Sequence, residues 1–209
     1  ELSVYGIAVA CVPATIDNDI TGTEFTIGFD TALNTVVEAI DKIRDTASSH
    51  ERIFIVEVMG RDAGYLALWA GLGGGAESII IPEEPVAVNE VVERLKQSSE
   101  RGKQHSVIVV AEGVMSGDKL SQLLKEEADV ETRVSVLGHM QRGGSPSARD
   151  RVIASRYGAR AVEELQAGQQ TVAIGMRNHQ IVAYPLQDVF ETKDCLDMEM
   201  LKLSKELSI

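Results

Sequence analysis

The sequence predicts an α/β protein with mostly parallel sheets and flanking helices. Three observations carry that prediction. Short β-branched runs alternate along the chain with longer segments whose apolar residues recur every three to four positions. The run from Ser106 to Ala111 reads as a buried strand. No internal repeat, coiled coil or low-complexity linker interrupts the alternation.

The elements follow in order. Ile7–Val12 is the first strand, and a polar loop covers Thr15–Thr23. Phe29, Ala32, Leu33, Val36, Val37, Ile40 and Ile43 then mark one face of an amphipathic helix. Arg52–Val58 is a strand, Gly60 starts a turn, and Ala63–Leu72 is a helix ended by Gly73-Gly74-Gly75. Glu77–Ile81 is a strand stopped by Pro82. Val88, Val91, Val92 and Leu95 line the next helix, with Glu90 and Arg94 paired on its outer face. After the Ser106–Ala111 strand come a helix at Lys119–Ala128, a strand at Arg133–Leu137 and a loop at Gly138–Gly144. Ser145 fits an N-cap with Pro146 at the first helical position, and that helix runs to about Gln166 and stops at Gly168. Thr171–Met176 and Ile181–Tyr184 flank Asn178-His179 as a hairpin, and a last helix covers Leu196–Leu207. The total is about seven strands.

Composition limits the function classes. Apolar residues make up 44% and charged residues 25% of the 209, which excludes a disordered, collagenous or disulfide-framework chain. The longest strongly apolar run, Val107–Ala111, is far too short to span a membrane. A net charge of −12 argues against nucleic-acid and anionic-membrane surfaces, while leaving room for local phosphate sites. Cys11 and Cys195 lie far apart in no CxxC pair, and the four histidines lack zinc-ligand spacing. No signal-peptide pattern is present, so a cytoplasmic protein with reduced thiols is expected. The length suits one large domain or two small ones. With no linker in sight, two domains would require the chain to cross between them more than once.

Three clusters could carry chemistry. Thr15-Ile16-Asp17-Asn18-Asp19 lies between a strand and a helix, where open α/β sheets bind ligands. In an extended stretch Asp17 and Asp19 would face the same side, one able to accept a proton and the other to hold hydrated Mg²⁺. The same residues also suit a loop shaped by Asx turns. Arginines beside glycines at two strand ends form the second cluster: Met59-Gly60-Arg61, and Gly138-His139-Met140-Gln141-Arg142-Gly143-Gly144. Glycine lets the backbone approach an anion and arginine offers a fork to phosphate, although surface turns use the same residues. Arg101-Gly102-Lys103-Gln104-His105 is the third, either a second anion site or the basic end of a helix.

The exact strings go further. Pro13–Asp19 (PATIDND), Thr26–Ala32 (TIGFDTA), Val58–Arg61 (VMGR), Ala111–Val114 (AEGV) and Leu137–Pro146 (LGHMQRGGSP) occur in one order. Together they resemble the bacterial ATP-dependent 6-phosphofructokinases, from about residue 4 to the end of the chain. The resemblance implies transfer of a phosphoryl group from MgATP to the 1-hydroxyl of fructose 6-phosphate. It implies that Asp17 is the base, that Asp19 acts near Mg²⁺, that Thr15 touches the transferring group and that Arg61 stabilises its charge. Met59, Gly60, Glu112, His139, Met140, Gln141 and Arg142 would hold the sugar phosphate. Arg52 and Arg133 would reach a neighbouring subunit's site, making a homo-oligomer, usually a tetramer, part of the function. An effector site for ADP or phosphoenolpyruvate would use Arg44, Gly75, Ala76, Glu77, Arg101, Lys103, Gln104 and His105, with Glu77 holding the effector's Mg²⁺.

The resemblance also predicts the organisation. Residues 29–140 with 196–209 match the sugar-phosphate and effector domain, and 1–28 with 141–195 match the rest of an ATP-binding domain. The family's N-terminal portion, with the glycine-rich loops for ATP, precedes the match. The chain is therefore expected to belong to a longer one, with an incomplete first domain, and to be inactive alone. Ala14 replaces the glycine usual in ATP-dependent members and Tyr65 the usual aspartate. Pyrophosphate-dependent relatives tend to carry lysine at position 14, so Ala14 favours ATP. The competing readings are a pyrophosphate-dependent enzyme and a non-catalytic sugar-phosphate or nucleotide sensor.

Overall fold

The computed structural model describes residues 2–50, 52–84, 86–102, 105–168, 171–191 and 196–207. Lys103, Gln104 and Cys195 lie outside them. The elements in chain order are β1 (Val9–Cys11), β2 (Ala14–Thr15), β3 (Ile27–Gly28), α1 (Phe29–His50), β4 (Ile53–Val58) and α2 (Tyr65–Gly73). Then come β5 (Ser78–Ile80), α3 (Val88–Glu100), β6 (Ser106–Ala111), α4 (Gly117–Ala128) and β7 (Thr132–Val136). The C-terminal portion holds α5 (Ala148–Gln166), β8 (Thr171–Arg177), β9 (Gln180–Pro185), α6 (Asp188–Glu191) and α7 (Met198–Leu207). Short 3₁₀ turns occupy Leu2–Tyr5 and Gly138–Arg142. The α/β class with mostly parallel sheets stands: every strand pairing is parallel except that of β8 with β9.

The chain forms two compact units, residues 1–31 with 144–195 and residues 32–143 with 196–209. The second unit is built on a four-stranded parallel sheet in the order β5-β6-β4-β7. Strand β6 is buried at all six positions, which is why its sequence runs apolar instead of alternating. The period of two separates its faces. Ile108 and Val110 join Ile55, Ile80, Val91, Val92, Leu95, Leu120 and Leu124 in a core formed with α3 and α4. Ile79, on the other face of β5, sits against Gly71 of α2. Full burial of each such side chain contributes about 1.5–3 kcal/mol. The α4 helix begins where Ser116 Oγ accepts the Lys119 N–H at 3.2 Å and Glu57 Oε2 accepts the Gly117 N–H at 2.7 Å.

The first unit carries a three-stranded sheet, β1-β8-β9, against which α5 packs, and a two-stranded parallel ribbon of β2 and β3. The hairpin predicted at Asn178-His179 is present: both residues have positive φ, 49° and 62°, as a two-residue turn of this hand requires. The helix start differs from expectation. The cap of α5 is Ser147, whose Oγ accepts the Asp150 N–H at 3.1 Å, not Ser145. Ser145 Oγ instead accepts from Arg151 Nη2 at 2.9 Å, and Pro146 O from Arg151 Nε at 2.9 Å. Proline at 146 precedes the cap rather than following it. The first strand is also shorter than Ile7–Val12, and β2 and β3 bring the strands among the described residues to nine, against about seven expected.

Tyr157 of α5 is fully buried. Its hydroxyl donates to Phe25 O at 2.7 Å and lies 2.9 Å from Thr23 Oγ1, which accepts the Met176 N–H at 3.0 Å. Burial pushes the phenol above its ordinary 10.0. An unfolded tyrosine therefore ionises first, so the contribution is intact below pH 10.0 and lost as pH rises beyond it. The full-length protein is expected to lose Tm more steeply above that pH than Tyr157→Phe does. Equal alkaline slopes would reject this account.

Candidate active site

In the first unit the Thr15–Asp19 loop is held by its neighbours' hydrogen bonds. Thr26 Oγ1 donates to Thr15 O at 2.7 Å, and Thr26 N–H donates to Asn18 Oδ1 at 2.8 Å. Asn18 Nδ2 donates to Glu24 O at 3.1 Å, and Thr15 Oγ1 accepts the Asp17 N–H at 3.1 Å. Asn18 adopts a left-handed φ of 56°. Asparagine tolerates that region because its short side chain bonds locally. The extended geometry that would put Asp17 and Asp19 on one side is therefore not what forms. Asp17 is buried, at 8% exposure, whereas Asp19 is exposed. Among the described residues no hydrogen bond or ion pair engages the Asp17 carboxylate. It is thus a shielded acceptor with its oxygens free.

In the second unit the register places the carboxyl ends of β4, β6 and β7 side by side: Val58 opposes Ala111, and Glu57 opposes Val136. The segments that follow them are the motifs singled out above. Glu112 Oε1 accepts the Arg61 N–H at 3.1 Å, and Glu112 N–H donates to Val58 O at 2.9 Å. Arg61 is left-handed, φ 53°, and its side chain is exposed. Gly60, at φ 147°, has no room for a side chain, since a Cβ would stand 2.4 Å from Ala63 O. Gln141 is 1% exposed. Its Oε1 accepts the Met59 N–H at 3.1 Å and its Nε2 donates to Gly138 O at 2.9 Å. The structure thus makes Gln141 a tie between two loops. Met59 and Gly60 are buried, while His139, Met140 and Arg142 are exposed at the same sheet edge. The arrangement offers exposed guanidinium and imidazole groups to an anion, on a backbone fixed from below.

Arg52 is exposed just before β4, and Arg133 is exposed on β7, an edge strand of its sheet. Of the effector set, Arg44 Nη2 donates to Gly74 O at the end of α2, while its Nε is buried without a partner. Gly75 is exposed beside that guanidinium and Ala76 is buried. Glu77 is 5% exposed, and its Oε2 accepts the Val107 N–H at 2.5 Å. The side chain so placed clasps β6, a poor fit to a metal ligand. Arg101 is exposed and His105 half-buried. Asp19 suits Mg²⁺ better, because that ion keeps most of its waters and asks for one or two carboxylates. Among the described residues no cluster of three or more His, Cys, Asp or Glu could hold a metal, and no helix is long and apolar enough to cross a membrane.

One residue that the motif reading did not single out stands out. Asp150, on the first turn of α5, is 2% exposed and accepts from Gly28 and Thr31 at the start of α1. The spacing Ser147-x-x-Asp150 announces a helix cap, but nothing local announces a partner more than a hundred residues upstream.

Arginine, histidine and carboxylate side chains following the carboxyl ends of parallel strands stand where proteins of the open α/β class place their ligand sites. The particular family follows from comparison. The phosphofructokinase family profile matches residues 1–165, and the chain belongs to that family. It is 61% identical over all 209 residues to an ATP-dependent 6-phosphofructokinase of Lysinibacillus sphaericus, and 59% identical over the same length to that of Bacillus subtilis strain 168. The chain spans 66% of the length of each. A crystal structure of Pichia pastoris phosphofructokinase in the T-state superposes with a TM-score of 0.86 at 26% identity, over 98% of this chain and 28% of that one.

Proposed function

We propose that the full-length protein transfers the γ-phosphoryl group of ATP to the 1-hydroxyl of fructose 6-phosphate, giving fructose 1,6-bisphosphate and ADP in cytoplasmic glycolysis. The observation that carries this reading is the 61% identity, over all 209 residues of the chain, to a protein named for that reaction. The local geometry supports it. Asp17 takes the proton from the attacking hydroxyl, as a shielded carboxylate with free oxygens can. Thr15 contacts the transferring group and Arg61 stabilises the charge on it. Glu112, His139, Met140, Arg142 and the backbone at Met59-Gly60 hold the sugar phosphate, with Gln141 fixing the two loops that carry them. Asp19 would hold Mg²⁺, which, when bound with the nucleotide, would supply neutralisation of phosphate charge.

The finer parts of the proposal are a homotetramer in which Arg52 and Arg133 serve a neighbouring subunit, and effector binding of ADP or phosphoenolpyruvate by Arg44, Gly75, Ala76, Arg101, Lys103, Gln104 and His105. Glu77, whose carboxylate accepts the Val107 N–H, ties β6 in this reading and is not a metal ligand. Residues 29–140 with 196–209 form the sugar-phosphate and effector domain in this reading, and 1–28 with 141–195 belong to the ATP-binding domain. The test is a steady-state assay of the full-length protein with fructose 6-phosphate and either ATP or pyrophosphate. Turnover with ATP is expected to be the faster by at least about 10²-fold in kcat/KM, given how strongly donor sites discriminate. Faster turnover with pyrophosphate would overturn the donor assignment. Binding of fructose 6-phosphate with no turnover from either donor would establish a sensor instead.

A further inference from the structure

We propose that Asp150 is a positioning residue that holds Thr15 and Asp17 in their reactive placement, an inference that rests on the kinase reading above. Its carboxylate is buried at 2% exposure, and among the described residues no basic side chain pairs with it. Oδ1 accepts the Gly28 N–H at 3.0 Å. Oδ2 accepts the Thr31 N–H at 2.8 Å and also the Thr31 hydroxyl. The positive end of α1 favours the charge there. Thr31 Oγ1 in turn accepts the Ser147 N–H at 3.0 Å, and Ser147 Oγ caps Asp150 itself. The starts of α1 and α5 are thereby locked through one carboxylate.

What the lock controls is the ribbon of β2 and β3. Each strand has only two residues, far fewer than a self-sustaining pair needs. Gly28, gripped by Asp150, is the register partner of Thr15. Thr15 accepts the Asp17 N–H on its hydroxyl. The ribbon is fastened at its other side by Thr26 through Thr15 O and Asn18. Releasing Asp150 removes the fastening on Gly28 and leaves the segment that leads to the base held from the Thr26 side, with Ile27 N–H on Pro13 O. Displacement of a reacting group by about 1 Å costs on the order of 10²-fold in rate.

The experiment compares wild type, Asp150→Asn and Thr31→Ala in the full-length protein, with kcat and KM for both substrates, and circular dichroism to give the folded fraction. Asparagine keeps the shape but removes the charge and points an NH₂ at an N–H donor. Wild-type inactivity would sink the kinase reading itself, independently of this one. With an active wild type, the expected result is a fall in kcat per folded molecule of about 10²-fold for Asp150→Asn. KM values should stay within about threefold, the pattern of an interaction used only in the transition state. If Asp150→Asn does not fold, Thr31→Ala carries the test, with a fall of about tenfold or more in kcat expected for loss of the hydroxyl that bonds both Asp150 and Ser147. A kcat per folded molecule within about threefold of wild type overturns the proposal, as does a change confined to KM. A lower Tm alone would mark Asp150 as a structural cap.

Discussion

Asp17→Asn in the full-length protein is expected to lower kcat by about 10²–10⁴-fold, the range a positioned general base supplies. The KM for fructose 6-phosphate should move by no more than about threefold, because the lost interaction belongs to the transition state. The geometry is what separates these two numbers. The loop around Asp17 is held by Thr15, Asn18, Glu24 and Thr26, and none of those bonds uses the Asp17 side chain. An asparagine of the same size leaves them all in place. It removes only the capacity to take a proton, from a side chain that is 8% exposed. Steady-state kinetics together with calorimetric binding of fructose 6-phosphate would check the result. A loss of only a few fold would remove Asp17 from the role of base and leave proton transfer to water or to another carboxylate.

How far the sequence announces this arrangement depends on the range of the interaction. The strands β4 and β6 and the helices α3 and α4 are legible because their apolar periods repeat over whole elements, and burial follows directly from the period. The arginine-glycine motifs at strand ends are legible for the same reason, since a strand that can be located has an end that can be located. The β2–β3 ribbon is not legible. Two residues carry no period, and its register is set by Asp150 and Thr26 from elsewhere in the first unit. The pairing of Asp17 with Asp19 fails through a single dihedral, the left-handed turn at Asn18, which strand rules do not contain. The family resemblance makes Gln141 a ligand contact, since it lies inside the LGHMQRGGSP string. Only the fold shows that both ends of its amide are spent on backbone. Glu77 is similar: the resemblance makes it a metal ligand, and here it serves the N–H group of Val107.

Gly113→Ala is expected to be the most damaging conservative change at the sheet edge of the second unit. A Cβ at 113 would stand 1.9 Å from Arg61 O, and the obstruction is backbone that cannot swing aside. Arg61 is already in the left-handed region at φ 53°, with its N–H held by Glu112 Oε1. Its preceding glycine is hemmed in by Ala63 O. The 60–63 turn can therefore relieve the clash only by moving off the end of β6, which breaks the Arg61–Glu112 bond and carries the guanidinium with it. Overpacking of this kind costs about 1–3 kcal/mol of stability. Misplacing Arg61 should add a loss of about 10²-fold in kcat/KM per folded molecule. Gly158→Ala is the control: it lies on α5 with nothing within 4 Å of the added Cβ, so alanine should stabilise by about 0.5–1 kcal/mol and leave turnover alone. Denaturant titration and steady-state kinetics on both variants measure the contrast. If Gly113→Ala kept wild-type kcat/KM while losing only stability, the turn would be yielding without moving the arginine. Arg61 would then lose its claim to act from the position that Glu112 sets.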